Sequence, residues 1–257
     1  GNLTKQGTGT LTLSGNNTYT GTTSINAGTV VVTNNNGLGT TAGGTSIASG
    51  ATLDLHGVTV GAEAITLAGG TLKDVTSSLS GDITLTANST IIATNADDVL
   101  TLSGVISGVG FGITKSGAGT LTLSGANTYT GTTSITAGTL SVTGSLSNST
   151  AVTVDSGATY SVGASDTIAS LAGAGSVNLN SFTLTLANAS GTYSGVMSGT
   201  GGFTLSGGSE TFSGTSTNTY TGGTTISGGT LTLGASNRLA DTGAVTVSGG
   251  TFDIGGY

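Results

Sequence analysis

A long internal repeat constrains the fold of this chain more than any other feature. Residues 3–32 read LTKQGTGTLTLSGNNTYTGTTSINAGTVVV, and residues 113–142 read ITKSGAGTLTLSGANTYTGTTSITAGTLSV, so 23 of 30 positions are identical at an offset of 110. A looser third copy runs from Phe203 to Leu233 and contains NTYTGGTTISGGTLTL. Self-similarity of this kind is typical of architectures in which equivalent units stack on one another.

A shorter period lies inside these copies. A Thr that usually follows a small residue and precedes an apolar one stands at positions 10, 29, 52, 71, 90, 120, 139, 159, 192, 211, 230 and 251. The intervals are mostly 19 to 23 residues, and two are longer, 90–120 and 159–192. We interpret these Thr residues as one column that runs through the whole chain.

The residues that follow each Thr alternate in polarity. The next residue is apolar in all twelve cases, and the third residue is apolar in most. A period of two predicts a strand with one buried face. Because such a strand recurs every ~20 residues, the sequence predicts an all-β, single-stranded parallel β-helix (β-solenoid) of about twelve rungs. We expect one continuous solenoid over residues 1–257, built of three long units at about 1–110, 111–201 and 202–257.

The composition fits this prediction and excludes several classes of protein. Gly, Thr and Ser number 48, 54 and 33 among 257 residues, and Pro and Cys are absent. Gly supplies the backbone conformations of tight corners, and Thr suits an exposed strand face. Without Cys and with a single His, the chain lacks the residues of a disulfide framework or a Cys- or His-rich metal site.

Charge and hydropathy exclude further partners. The net charge is −7 with only four basic residues, so we expect no nucleic-acid partner. The apolar runs are too short for a transmembrane segment, and we expect no cofactor. The chain opens with GNLTKQGTGT, which is neither an initiator Met nor a secretory signal, and we expect a processed product or an excised piece.

The two strong copies resemble the autotransporter-associated β-strand repeat. GTLTLSGNNTYTGTTSINAGTVVV and GTLTLSGANTYTGTTSITAGTLSV are similar to repeats in the passenger domains of bacterial type V secretion proteins. The resemblance implies a right-handed parallel β-helix that is extracellular or displayed on a bacterial cell surface. The family repeat is structural, so it implies no catalytic residue.

Few residues could carry chemistry. His56 follows a predicted strand without a nearby acid, and Asp97–Asp98 is the only pair of adjacent acidic residues. Neighbouring residues on a strand point to opposite faces, so this pair would converge only on a loop. Lys5 and Lys115 occupy the same repeat position, which we interpret as a solvated structural role. We therefore expect no enzyme and no catalytic, cofactor-binding or metal residue.

Two binding functions are weaker alternatives. A second Thr column would be needed for a flat ice-binding array, and Asp54 and Lys73 are among the residues that interrupt it. A polysaccharide-active β-helix would need a cluster of acids. The three equivalent tyrosines are interpreted as packing over a corner rather than as a sugar-stacking strip; they are Tyr19, Tyr129 and Tyr220.

The two ends leave two functional hypotheses open, because solenoids normally carry polar caps and neither end shows one. The first is an extracellular structural protein, a rigid subunit of a surface fibre, sheath or filament that self-associates by end-to-end stacking of its open ends. The expected interface residues are Leu3, Thr10, Leu11, Thr251, Phe252, Ile254 and Tyr257. The alternative is a stalk fragment of an autotransporter adhesin passenger, for which surface glycans or host proteins are the expected partners.

Overall fold

Strands are the only regular elements of this chain in the computed structural model, which describes residues 1–240 and 243–256. These residues form two compact units, Gly1–Gly131 and Thr132–Tyr257, called unit one and unit two below. The three repeat units expected from the sequence, at about 1–110, 111–201 and 202–257, are not tested by this division and stay a prediction. None of the described residues belongs to a helix that could cross a membrane.

Unit one contains sixteen short strands. They are β1 (Leu3–Lys5), β2 (Thr10–Leu13), β3 (Thr23–Ile25), β4 (Thr29–Val32), β5 (Thr45–Ala48), β6 (Thr52–His56), β7 (Thr59–Val60), β8 (Ile65–Ala68), β9 (Thr71–Val75), β10 (Ser77–Leu79), β11 (Ile83–Ala87), β12 (Ser89–Ala93), β13 (Val99–Leu102), β14 (Ile106–Ser107), β15 (Ile113–Ser116) and β16 (Thr120–Leu123). The first sheet has the order β1-β3-β5-β8-β11-β14. The second runs β2-β4-β6-β9-β12-β15, and the third joins β7, β10, β13 and β16.

Unit two is built in the same way. Its strands are β17 (Thr133–Ile135), β18 (Thr139–Val142), β19 (Ala151–Val154), β20 (Thr159–Val162), β21 (Asp166–Ile168), β22 (Ser170–Gly173), β23 (Ser176–Asn178), β24 (Leu184–Leu186), β25 (Thr192–Tyr193), β26 (Val196–Ser198), β27 (Phe203–Leu205), β28 (Ser209–Phe212), β29 (Thr224–Ile226), β30 (Thr230–Leu233), β31 (Val245–Val247) and β32 (Thr251–Asp253). One sheet joins β17-β19-β22-β25-β28-β30-β32, a second β18-β20-β23-β26, and a third β21-β24-β27-β29-β31.

Parallel pairing between successive turns makes each unit a β-solenoid. Equivalent strands lie beside one another, as in the pairing of Thr10 with Thr29 and of Thr29 with Thr52. Alternate side chains point inward, so Leu53, Leu72 and Ile91 form a fully buried apolar column. The predicted all-β solenoid of about twelve turns is confirmed.

The recurring Thr does not form one continuous column. In unit one, Thr90 pairs with Thr114 of the second sheet. Thr120 instead pairs with Val99 in the third sheet. The 30-residue interval therefore moves the Thr signature to the neighbouring sheet.

A change of sheet also occurs at the second long interval, in unit two. Thr159 pairs with Ser176 on β23, whereas Thr192 pairs with Thr211 on β28 in a different sheet. Thr211 then pairs with Thr232, two residues beyond the Thr of the expected column. The interpretation of all twelve Thr residues as one column is therefore wrong, because the additional chain in each long interval places the next Thr on a different sheet.

Candidate functional site

The Asn of each NTY motif joins neighbouring turns of the solenoid. In unit two, the buried Asn218 side chain accepts a hydrogen bond from the Met197 amide at 2.7 Å and donates one to the Arg238 carbonyl at 2.8 Å. In unit one, Asn127 Oδ1 accepts a hydrogen bond from the Ile106 amide of the preceding turn at 3.0 Å, and its Nδ2 donates to the Gly125 carbonyl, two residues earlier, at 3.0 Å. The sequence alone did not reveal these bridges, because they can be recognised only when the adjacent turn is known.

The tyrosines of the same motif pack inside the corners. Tyr129 and Tyr220 are buried, and Tyr19 is half-buried. The Tyr19 hydroxyl lies 2.8 Å from Thr23 Oγ1, and Tyr220 makes the equivalent contact with Thr224. The corner-packing interpretation is confirmed, and burial keeps the rings of Tyr129 and Tyr220 from stacking on a sugar.

The lysine of the repeat is buried, so the prediction of a solvated role is wrong. Lys5 points into unit one, where its Nζ donates to the carbonyl oxygens of Gln6 at 3.1 Å and Gly7 at 2.6 Å. A third bond reaches the Ala27 carbonyl on the next turn at 3.1 Å. Carbonyl groups exposed by the corner supply hydrogen-bond acceptors that stabilise the ammonium in place of water.

Lys115 repeats this arrangement in the second copy. Its side chain is fully buried, and Nζ donates to the carbonyls of Ser116 at 2.9 Å and Gly117 at 2.8 Å. Burial lowers the pKa of Lys115 to about 8. The two equivalent lysines therefore stabilise a corner of the solenoid through hydrogen bonds to its carbonyl groups.

The acidic pair does not assemble a catalytic site. Asp97 is exposed, whereas Asp98 is buried and its Oδ2 accepts hydrogen bonds from the Asn95 amide at 2.7 Å and from Asn95 Nδ2 at 2.9 Å. The pair lies on the loop between β12 and β13. His56 is exposed at the end of β6, and the described part of the chain contains no cluster of three metal-ligating side chains.

The sequence did not predict that carboxyl groups would be buried, and Glu210 and Glu63 are two that are. Glu210 replaces an apolar residue of the unit-two core, since its backbone pairs with Leu231. Burial raises the pKa of Glu210 to about 8, with the Gly191 amide offsetting part of the effect. Glu63 is buried in unit one and accepts a hydrogen bond from Thr45 Oγ1 at 2.7 Å. Burial raises the pKa of Glu63, and this hydrogen bond opposes the rise. One sequence signal marked Glu210, because it is the only non-small residue that precedes a recurring Thr.

The second Thr column is interrupted on the outer face of the second sheet, as the sequence predicts. Across the paired strands β2, β4, β6, β9 and β12, the residues of this column are, in order, Thr12, Val31, Asp54, Lys73 and Ile92. Lys73 Nζ forms an ion pair with Asp54 Oδ2 at 2.9 Å. A charged pair between two large apolar side chains breaks the flat hydroxyl surface that ice binding would require.

Five of the seven residues expected to form an end-to-end interface lie on strands that are paired on one edge, and Ile254 directly follows one of these strands. In unit one, β1 pairs with β3 and β2 with β4; Leu3 and Leu11 are half-buried and Thr10 is exposed. In unit two, β32 pairs with β30; Phe252 is half-buried, Thr251 is exposed, and Ile254 is 50% exposed. Tyr257 lies outside the described residues. The interface stays a prediction.

Comparison with known proteins identifies the repeat from which the solenoid is built. The family model of the passenger-associated-transport-repeat matches residues 3–32, 113–142 and 215–233. The chain carries autotransporter passenger repeats. Two of the three matched segments are the strong copies found in the sequence.

A passenger-repeat relative extends the similarity over most of the chain. The adhesin BmaC autotransporter of Brucella suis biovar 1 (strain 1330) is 42% identical over 231 residues, which cover 83% of this chain and 6% of the relative. No solved structure matches the chain. The match to this repeat family and the similarity to this relative indicate that the chain is extracellular or located at the cell surface.

Proposed function

We propose that this passenger-repeat chain is a stalk segment of an autotransporter adhesin, with a mechanical and not an enzymatic role. The observation that carries the proposal is the match to a small part of a very long adhesin, with 6% of that protein covered. The match favours the stalk over the fibre subunit that the terminal edges suggested. Self-association through those edges is left as a prediction.

The structure supports a mechanical role within each unit. Successive turns are joined by parallel ladders, such as β4 with β6 and β6 with β9, so local opening must break hydrogen bonds to both neighbours. Each turn adds about 4.8 Å along the stacking direction. Internal bridges such as Asn218 and Lys115 hold the corners where the chain turns. A stack of this kind separates other parts of a passenger from the cell surface.

Replacement of the segment in a full-length passenger tests the stalk function. Bacteria would display three passengers: the intact one, one lacking this segment, and one in which an unrelated β-solenoid with the same number of turns replaces it. The distance between a membrane-distal epitope tag and the outer membrane would be measured by super-resolution microscopy. We expect the deletion to shorten this distance and the replacement to restore it. An unchanged distance after deletion would refute the stalk function.

A further inference from the structure

The turn that follows β4 in unit one contains the only Asn–Gly peptide bond of the sequence, between Asn36 and Gly37. Asn36 is exposed to solvent, whereas Gly37 is buried. The Asn36 carboxamide has no hydrogen-bond partner among the described residues. Asparagine is thermally labile because a backbone nitrogen can attack its carboxamide, and a following glycine offers no side chain to hinder that attack.

Close packing requires the glycine of this pair. A Cβ at Gly37 would lie 2.8 Å from Val32 Cγ1 and 3.0 Å from the carbonyl oxygens of Leu13 and Asn34. Val32 is fully buried, so it could not move aside without disturbing the core. The fold therefore needs a residue without a side chain directly after the exposed Asn36.

Hydrogen bonds hold the same pair closed. The Asn17 amide donates to the Asn36 carbonyl at 3.2 Å, and Asn17 Nδ2 donates to the Gly37 carbonyl at 2.7 Å. The Gly37 amide donates to the Asn34 carbonyl at 2.8 Å. Attack by the Gly37 nitrogen requires this last bond to break, so the stability of the closed turn should determine how often the reaction can begin.

We propose that Asn36 is a site of self-modification, at which the chain deamidates through a cyclic imide. The Gly37 nitrogen attacks Cγ of Asn36 and forms a new N–C bond. The bond from Cγ to Nδ2 breaks, and the proton of the Gly37 nitrogen leaves with Nδ2 as ammonia. Water then opens the ring at either carbonyl and returns a proton to the Gly37 nitrogen, which gives aspartate or isoaspartate.

Both products alter the turn. Aspartate adds a negative charge at an exposed position. Isoaspartate also lengthens the backbone by one carbon atom, which displaces the Gly37 carbonyl from Asn17 Nδ2. The proposal goes beyond the stalk function, because it concerns the chemical lifetime of one turn and does not depend on the mechanical role of the segment.

The third copy supplies a matched internal control in unit two. Asn237 is exposed and precedes a buried residue, Arg238. The Arg238 carbonyl accepts a hydrogen bond from Asn218 Nδ2 at 2.8 Å, as the Gly37 carbonyl accepts one from Asn17. Because Arg238 carries a large side chain, its nitrogen is hindered from attacking Asn237, and we expect Asn237 to stay unmodified.

Peptide mapping by mass spectrometry on the purified chain tests the proposal. Samples of the folded chain and of the chain in urea would be taken over several weeks at mildly alkaline pH. We expect aspartate and isoaspartate to form at Asn36 and not at Asn237, and more slowly in the folded chain than in urea. Asn17→Ala should speed the reaction in the folded chain about fivefold, since the lost hydrogen bond contributes about 1 kcal/mol to the closed turn.

Asn218→Ala is the matched variant, because it removes the corresponding bridge in unit two and should leave the rate at Asn36 unchanged. Circular dichroism would check that both variants fold, and the wild-type comparison decides the proposal if either does not. Three results overturn it: an intact Asn36 in the folded wild type throughout, equal conversion at Asn237, or equal rates at Asn36 in the two folded variants. The tag-distance experiment is independent of all these outcomes.

Discussion

Lys115 lies directly across the parallel ladder from Ile91, so an ammonium group and an alkyl side chain occupy equivalent inward positions on adjacent turns. The corner carbonyls make this substitution tolerable, because they accept the hydrogen bonds of the ammonium. The core of the solenoid is therefore apolar along its strands and polar at its corners. This division determines how substitutions at the two kinds of position should behave.

Replacement of Lys115 by Met should leave stability at pH 7 within about 1 kcal/mol of wild type or raise it, because the change removes a buried charge at similar volume. Lys115→Ala should instead destabilise by about 2–4 kcal/mol through the cavity it leaves. Urea unfolding of the three proteins measures the difference. A larger loss for Met than for Ala would contradict the role assigned to the ammonium.

The stability contributed by Lys115 should also depend on pH. Its pKa falls to about 8 on folding because of burial, from an ordinary value of 10.5, so between these values the unfolded state binds more protons. Stability of the wild type relative to Lys115→Met should therefore rise as the pH increases from 8 to 10.5. Urea unfolding at pH 7 and pH 10 checks the sign, and a decrease would contradict it.

Glu210 should show the opposite dependence. Burial raises its pKa to about 8 from 4.5, so between these values the folded state binds more protons and stability falls as the pH rises. Glu210→Leu, which copies the residue paired with it, should remove this loss and be more stable than wild type at pH 8. Thermal unfolding from pH 5 to 8 measures the effect. Asp97→Asn is the control, because it removes a carboxyl group from an exposed side chain instead of a buried one.

Removal of the Asn218 bridge should destabilise unit two. Asn218→Ala deletes both side-chain hydrogen bonds and leaves the buried Met197 amide without its acceptor, which costs about 1–3 kcal/mol. Asn17 is half-buried and donates one such bond, to the Gly37 carbonyl at 2.7 Å, so Asn17→Ala should cost less. Denaturant unfolding ranks the two variants, and the reverse order would contradict the importance of burial.

Close stacking of the corners should make Gly81 intolerant of any side chain. A Cβ at Gly81 would lie 1.9 Å from the Glu63 carbonyl oxygen, whereas one at Gly61 would meet nothing within 4 Å. Gly81→Ala should therefore cost about 1–3 kcal/mol or more, and Gly61→Ala should change stability by about 0.5 kcal/mol at most. Comparison of their thermal unfolding provides the test. Equal effects would mean that the turns are not stacked as closely as described.

Much of the fold follows from the sequence because each strand is short and repeats the same alternation. Leu53 and Leu72 could be placed in the core from the period of two and the spacing between turns. Lys115 could not, since its burial depends on carbonyl groups contributed by a corner whose geometry the spacing does not specify. Glu210 was missed for a related reason: Thr211 pairs with Thr192 on one side but with Thr232 instead of Thr230 on the other, so the residue before Thr211 lies opposite the buried Leu231.

The candidate site was less predictable than the fold. The Asn218 side chain bonds to the Met197 amide and to the Arg238 carbonyl, which lie about one turn before and one turn after it in the sequence. The bond from Lys5 to the Ala27 carbonyl likewise reaches the next turn. Sites of this kind emerge from the alignment of turns and not from a local motif.

The change of sheet at the 30-residue interval gives the duplication an unexpected consequence. The TLTL segment of the first copy lies on β2 in the second sheet, while the identical segment of the next copy lies on β16 in the third. The duplicated segment therefore lies one sheet further around the stacking axis than its first copy. An array that grows by such duplications would present the same surface chemistry in several directions. The length of the intervals between the copies would determine which direction each copy faces.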